Sequence, residues 1–215
     1  YAIKFLDPDY LLLLNNDTLV EEDFLERMVE MGESYDDIGI IGPKTCYYPQ
    51  KNRINSAGAE MVWHLGLALN RGIGDIDEGQ YDTSMEVDSL LGACLLIKTP
   101  LIEKIGMLDS RFFLILEETD FCLRAQKAGY KVVYDPESKI YHKEGFSGSL
   151  SPLGMYYLYR NRLIIMKKHL KSPESNIYPY YIFMRALAEF LMYRFRGERD
   201  LSQAVINGYN AGRKY

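Results

Sequence analysis

The sequence predicts an α/β fold. Short apolar runs alternate with helix-patterned stretches as far as about residue 145, an alternation that separates an α/β sheet from a bundle or a sandwich. From Leu153 the pattern is helical to the end. A chain of 215 residues, 47% of them apolar, can bury one sizeable core with an appended subdomain. The expected division is therefore a sheet-based part over residues 1–150 and a helical C-terminal part over residues 151–215.

The run Tyr10–Leu14 reads as a buried strand, and its four leucines stop at Asn15-Asn16-Asp17. A strand buried on both faces belongs in the middle of a parallel sheet, with neighbours drawn from later in the chain or from residues that precede it. Glu21–Glu33 follows as a helix, acidic in its first turn and apolar at Phe24, Leu25, Met28 and Val29. Ile38–Ile41 is a short strand closed by Gly42-Pro43, and Ala93–Ile97 is another, ended by the helix start Thr99-Pro100. Residues 44–88 between them are rich in Gly, Asn and Asp; a connection of that length usually lines a site. Phe112–Leu116 leads into a helix over Thr119–Ala128, closed by Gly129, and Lys131–Tyr134 returns as a strand. A further strand ends at His142, after which Gly and Ser residues make a connection. The final helices are expected to break near Pro173, Pro179 and Gly197.

No apolar run approaches the ~18 residues that a membrane-spanning helix needs. The opening Tyr-Ala-Ile-Lys carries no apolar signal-peptide core. Cys46, Cys94 and Cys122, odd in number and widely spaced, fit neither a disulfide framework nor a zinc site and read as reduced core thiols of a cytoplasmic protein. The net charge of −5 conceals an asymmetry. Residues 151–215 hold 11 Lys+Arg against 4 Asp+Glu, a balance of +7, and nine of the 18 tyrosines; residues 1–150 stand at −12. A basic, aromatic tail on an acidic body suits phosphates, those of an anionic substrate or of a membrane surface, and equally suits a helical face that is simply solvated. Nucleic acid is not expected among the partners.

Three polar clusters follow apolar segments: Asn15-Asn16-Asp17, Glu117-Glu118-Thr119-Asp120, and His142. Loops at strand ends in an α/β sheet converge on one edge, so clusters distant in sequence can meet there. Asp and Asn oxygens with one imidazole suit Mn²⁺ or Mg²⁺, and a second carboxylate cluster can supply a general base. Each cluster also has a purely structural reading. The first can be an Asx turn, the second can serve a helix N-terminus and its dipole, and a lone histidine is more often structural than a ligand.

The stretches "DYLLLLNNDT", "IGIIGPK", "EVDSLLGACLLIK", "IGMLDSRFFLILEETDFCLRAQKAGYKVVYDP", "IYHKEG" and "YYLYRNR", in this order and spacing, resemble the metal-binding and acceptor-side half of family 2 glycosyltransferases, and most closely the bacterial rhamnosyltransferase-like branch. The resemblance spans roughly residues 5–170. It implies a partial GT-A (Rossmann-like) mixed sheet with a C-terminal helical extension, a nucleotide-diphosphate sugar donor, a divalent cation (Mn or Mg) and inversion at the anomeric carbon. The family's Asp-x-Asp stands here as Asn15-Asn16-Asp17, which makes Asp17 the first metal candidate, with Asn15 a weaker one and Asn16 beside the donor. His142 matches the position that completes the metal site, and Glu118 that of the general base, where the family usually has Asp. Glu117 and Asp120 flank that base, Asp88 and Gly92 of "DSLLGA" are acceptor-side candidates, and Arg160 and Arg162 are candidates for phosphate. The helix N-terminus favours an ionised Glu118, whereas Glu117 and Asp120 oppose it; the net expectation is a carboxylate still charged near neutral pH. Gly145–Ser149 is a candidate lid over the donor. The family's nucleotide-binding first half has no counterpart here, so a truncated domain is expected.

The reading is thus an inverting glycosyltransferase acting on a saccharide or lipid-linked saccharide in cell-surface polysaccharide synthesis, cytoplasmic and peripheral at the inner face of the membrane. Two alternatives come from other classes. A non-catalytic binding or assembly module would keep the half-fold without a donor site. A metal-dependent nucleotidyltransferase would also use carboxylates at the sheet edge, and would release pyrophosphate rather than nucleoside diphosphate.

Overall fold

The computed structural model describes residues 7–143 and 150–215, which form two compact units. The first takes the described residues up to Glu60, Leu69–Leu108 and the chain from Phe121 through Lys143. The second takes Met61–Ala68, Asp109–Asp120 and the described residues from Leu150 to Tyr215.

The sheet of the first unit is built from β1 (Tyr10–Leu14), β2 (Thr18–Val20), β3 (Ile38–Tyr47), β4 (Ile54–Ser56), β7 (Met85–Glu86), β8 (Cys94–Lys98) and β9 (Lys131–His142). Its path runs β1-β8-β3-β9-β2, with β4 added on β3 and β7 on β9. Among the described residues only the β3–β9 pair is parallel, so the sheet is mixed. Because side chains alternate along a strand, β8 sends Leu95 and Ile97 into one core and Cys94 and Leu96 into another. Two helices cover these faces: α1 (Phe24–Ser34) adds Phe24 and Met28 to the second core, and α3 (Glu117–Lys127) adds Phe121, Cys122 and Ala125 to the first. Helix α2 (Thr99–Ile105) follows β8 as expected, with Pro100 in its first turn. Strands β5 (Ala59–Val62) and β6 (Leu67–Asn70) pair as a separate ribbon within residues 44–88. All three cysteines are buried.

Three expectations need correction. β1 is not in the middle of a parallel sheet: it pairs antiparallel with β8 (Leu12↔Leu96) and ends the path, and its residues are only half-buried. Four leucines state apolarity but do not state a partner, and the partner came from later in the chain. β3 does not close at Gly42-Pro43 but continues to Tyr47; its register against β9 shifts between Pro43 and Lys44, the irregularity that lets a strand carry proline. Pro179 does not break its helix, because it lies early in α5 (Glu174–Phe195), where the lost backbone donor affects only the opening turns.

In the second unit α4 (Pro152–His169), α5 and α6 (Arg199–Arg213) share a core of Tyr159, Leu163, Met166, Ile182, Ala186 and Val205. The Ser151 hydroxyl accepts from Gly154 N and Pro152 opens the first turn, which fixes where α4 starts. Glycines let α6 lie against the α4 backbone: a Cβ on Gly208 would sit 2.2 Å from Tyr156 O, and one on Gly212 would sit 2.6 Å from Arg160 O. Gly208→Ala is expected to lower stability by about 1–3 kcal/mol, since a backbone atom cannot yield as a side chain can. Chemical denaturation followed by circular dichroism checks it.

Candidate active site

The polar stop after β1 is a tight turn. Asn15 O accepts from both Thr18 N (3.3 Å) and Thr18 Oγ1 (2.7 Å), and Asn15 N donates to Ala93 O (2.9 Å), which sets Gly92 one residue from the turn. The turn passes directly into β2, where Thr18 pairs with His142, and Lys143 N donates to Asp17 O (2.9 Å). Asp17 and His142 are thereby brought together from 125 positions apart, with Oδ1 and Nε2 separated by 3.4 Å. Asn55, at the centre of β4, lies behind the ring: its Oδ1 is 3.2 Å from His142 Nδ1. An amide oxygen only accepts, so this contact is a hydrogen bond in the tautomer that carries its proton on Nδ1, and that tautomer turns the Nε2 lone pair toward Asp17.

This pair fits a divalent cation. Asp17 Oδ1 is buried without a hydrogen-bond partner, an unusual state for a carboxylate oxygen, and it faces His142 Nε2. Two ligands of one cation at ordinary bond lengths and a right angle stand ~3 Å apart, close to what is found. An oxygen with an imidazole nitrogen, the latter fixed from behind by an amide, is a donor set for Mn²⁺ in particular. Among the described residues no group of three or more His, Cys, Asp or Glu that could hold a metal ion forms. Asn15 and Asn16 are exposed on the same turn, and Asp88 lies part-buried in the loop before β8.

The second cluster opens α3. Ile115 and Leu116, neither of them glycine, both adopt left-handed backbone (φ 69° and 71°), and Leu116 O accepts from Asp120 N in the helix's first turn. Burial pushes Glu118 up to about 7, with the charge of Glu117 adding to the rise; backbone N–H groups and the Thr119 hydroxyl, 3.2 Å away, oppose it. Glu117 is also raised by burial. The sequence weighed the helix terminus against the acidic neighbours; in the structure desolvation outweighs the helix terminus and raises Glu118. Asp120 is fully buried and held by Lys168 Nζ (2.8 Å) and His169 Nε2 (2.7 Å), contacts that anchor the helix start to α4 rather than offer a carboxylate to a substrate.

Arg160 and Arg162, expected to meet phosphate, both face inward in the second unit. Arg160 donates to Arg111 O, Asn161 Oδ1 and Tyr215 OH (2.7, 2.9 and 2.7 Å) and stacks on Tyr215. Arg162 is buried beside the Tyr159 ring, with Nε and Nη1 making no hydrogen bond. The candidate lid Gly145–Ser149 lies outside the described residues. Asn55, Asn161, Lys168 and His169 were not singled out from the sequence; for Asn55 the only signal was its place in the segment expected to line a site.

A low-salt glycan biosynthesis hexosyltransferase of Haloferax volcanii is 27% identical over 61% of this chain and 41% of its own length. An N-acetylglucosaminyl-diphospho-decaprenol L-rhamnosyltransferase of Mycobacterium tuberculosis is 33% identical over 29% of this chain and 20% of its own. The chain thus spans less than half the length of either. Among solved structures, GalNAc-T7 with UDP, GalNAc and Mn²⁺ superposes over 83% of this chain and 34% of that one, with a TM-score of 0.57 at 13% identity; the fold is GT-A. Residues 10–169 match the family model described as glycosyl transferase family group 2, and the chain belongs to that family.

Proposed function

We propose that this chain carries the metal- and acceptor-side machinery of an inverting glycosyltransferase that moves a sugar from a nucleotide-diphosphate donor to a saccharide or lipid-linked saccharide in cell-surface polysaccharide synthesis. The observation that supports it most is Glu118: a carboxyl brought by burial to about 7 is tuned for taking a proton near neutral pH. Its carboxylate accepts the proton of the acceptor hydroxyl as that oxygen bonds to the anomeric carbon. The bond from that carbon to the donor diphosphate breaks, and its electron pair leaves with the nucleoside diphosphate. Asp17 and His142 would hold a divalent cation, which neutralises charge on a diphosphate when bound. The experiment is a transfer and hydrolysis screen of the full-length protein across nucleotide sugars with Mn²⁺. Nucleoside diphosphate is the expected product. Pyrophosphate would mean nucleotidyl transfer, and no turnover with no donor binding would mean an assembly module.

Contact with an anionic membrane is part of this reading, and α5 supports it. Ile177, Tyr181, Met184, Leu187, Leu191 and Phe195 are spaced three or four apart along one side of the helix, with Tyr180 beside them, and all are exposed, Phe195 by 89%. Ile182 and Ala186 on the opposite side fill the core, so the helix carries apolar residues on its exposed side as well as on its buried one. Among the described residues no helix is long and apolar enough to cross a membrane. A stripe of this kind within a +7 tail suits the plane of an anionic surface on the cytoplasmic side, where each basic residue contributes ~1 kcal/mol. Flotation with anionic liposomes should show binding that Tyr180→Asp/Met184→Asp abolishes and salt weakens. Equal binding to neutral vesicles, or none, would leave α5 as a face for another protein.

A further inference from the structure

The motif "YYLYRNR" remains without a role in the reaction, and its middle residue makes contacts that suggest one. Asn161 is fully buried, and its Nδ2 donates to both Leu114 O and Ile115 O at 2.7 Å. Its Oδ1 accepts from Arg160, whose same Nη1 donates to Arg111 O. One amide thus grips the two carbonyls that lead into the left-handed pair Ile115-Leu116. For residues with a Cβ, and a β-branched one in particular, that conformation costs on the order of 1–3 kcal/mol each and persists only where its surroundings fix it. Two turns further along α4, Lys168 and His169 hold Asp120 on the far side of Glu117-Glu118. The helix start is therefore held at both ends by one helix.

We propose that Asn161, backed by Arg160, is the positioning residue of the general base: its clamp on Leu114 and Ile115 fixes the strained turn from which Glu118 is presented in a desolvated setting. The proposal rests on the reading of Glu118 as the base, yet its consequence can be measured without turnover. The groups that face the Glu118 carboxyl are the Glu117 carboxyl, which raises it, and the Thr119 hydroxyl, which lowers it; the Asp120 carboxylate is taken up by Lys168 and His169. None of them is changed when Asn161 is replaced. Loss of the clamp lets the turn relax and water reach the carboxyl.

The test is a carbon-13 carboxyl titration of Glu118 by NMR in the full chain, for wild type, Asn161→Leu, and Ile182→Ala as a variant in the core that α4, α5 and α6 share. The wild-type midpoint should lie near 7, and Asn161→Leu should bring it toward the ordinary glutamate value of 4.5, while Ile182→Ala leaves it in place. An unchanged midpoint in folded Asn161→Leu overturns the proposal, as does an equal shift in Ile182→Ala. Asn161→Asp, which retains the acceptor for Arg160 and loses both donations, serves where Asn161→Leu does not fold. Failure of both to fold overturns it too, by making Asn161 a requirement of the unit rather than of the base. Inactivity of the wild-type protein would refute the glycosyltransfer reading and leave these midpoints standing.

Discussion

Glu118→Gln should lower kcat for sugar transfer by at least ~10²-fold, the usual scale for removing a general base, with donor and Mn²⁺ affinity unchanged. Glutamine keeps the shape and the neutral hydrogen bonds of the protonated acid and cannot take a proton. The pH dependence follows from the raised value near 7. The base works ionised, so kcat should climb tenfold per pH unit below about 7 and level above it. Stability runs the other way. A carboxyl raised on folding favours the folded state while protonated, and that contribution is complete below the unfolded value of 4.5 and is lost as pH rises through about 7. Glu118→Gln should therefore melt several degrees above wild type at about pH 8 and show no advantage below about pH 4.5. Full activity in Glu118→Gln would place the base elsewhere; Glu117 is the nearest other carboxyl, itself raised by burial.

Sequence reading reached some of this and stopped short elsewhere for physical reasons. β8 was legible because a strand buried on both faces must be apolar at every position, and a continuous run states that directly, whereas β9 was read as two pieces because the polar residues from Asp135 to Lys139 interrupt its apolar pattern. β3 was read too short because its second half includes Lys44 and Thr45, polar residues that are buried by contacts from far away. The Lys44 ammonium lies against Asp77, 33 positions on, and no local pattern announces that. Asp17 and His142 were legible singly and their pairing followed only from motif order, since β2 and β9 must first align. For Glu118, the helix terminus and its acidic neighbours could be read; the desolvation that decides its charge could not, because burial is a property of the folded unit. Asn161 was legible only as part of a motif. Its meaning lies in two backbone carbonyls 46 and 47 positions away, and a carbonyl leaves no mark on a sequence.

Asp17→Asn should weaken Mn²⁺ and nucleotide-diphosphate affinity together, each by at least ~10-fold, with the fold retained. The amide still satisfies the turn, because the hydrogen bonds that build it run through the backbone of Asn15 and Asp17 and the Thr18 hydroxyl, not through the Asp17 carboxylate. What changes is the charge on Oδ1, the buried oxygen that meets no donor and stands 3.4 Å from His142 Nε2. A neutral amide oxygen is the poorer ligand for a divalent cation, and the diphosphate loses affinity because part of its binding depends on that charge. Asn55→Ala should produce a milder form of the same loss, within the ~10–100-fold range seen when the partner of a ligating histidine is removed, since Nδ1 would no longer be held as the donor. Titration of Mn²⁺ by electron paramagnetic resonance, with and without nucleoside diphosphate, reads both effects with no acceptor and no turnover. Glu118→Gln is the control, and it should bind like wild type. If Asp17→Asn instead keeps its Mn²⁺ affinity and only melts earlier, the carboxylate serves the β1–β2 turn, and the leucine strand ends in Asn-Asn-Asp for the backbone's sake alone.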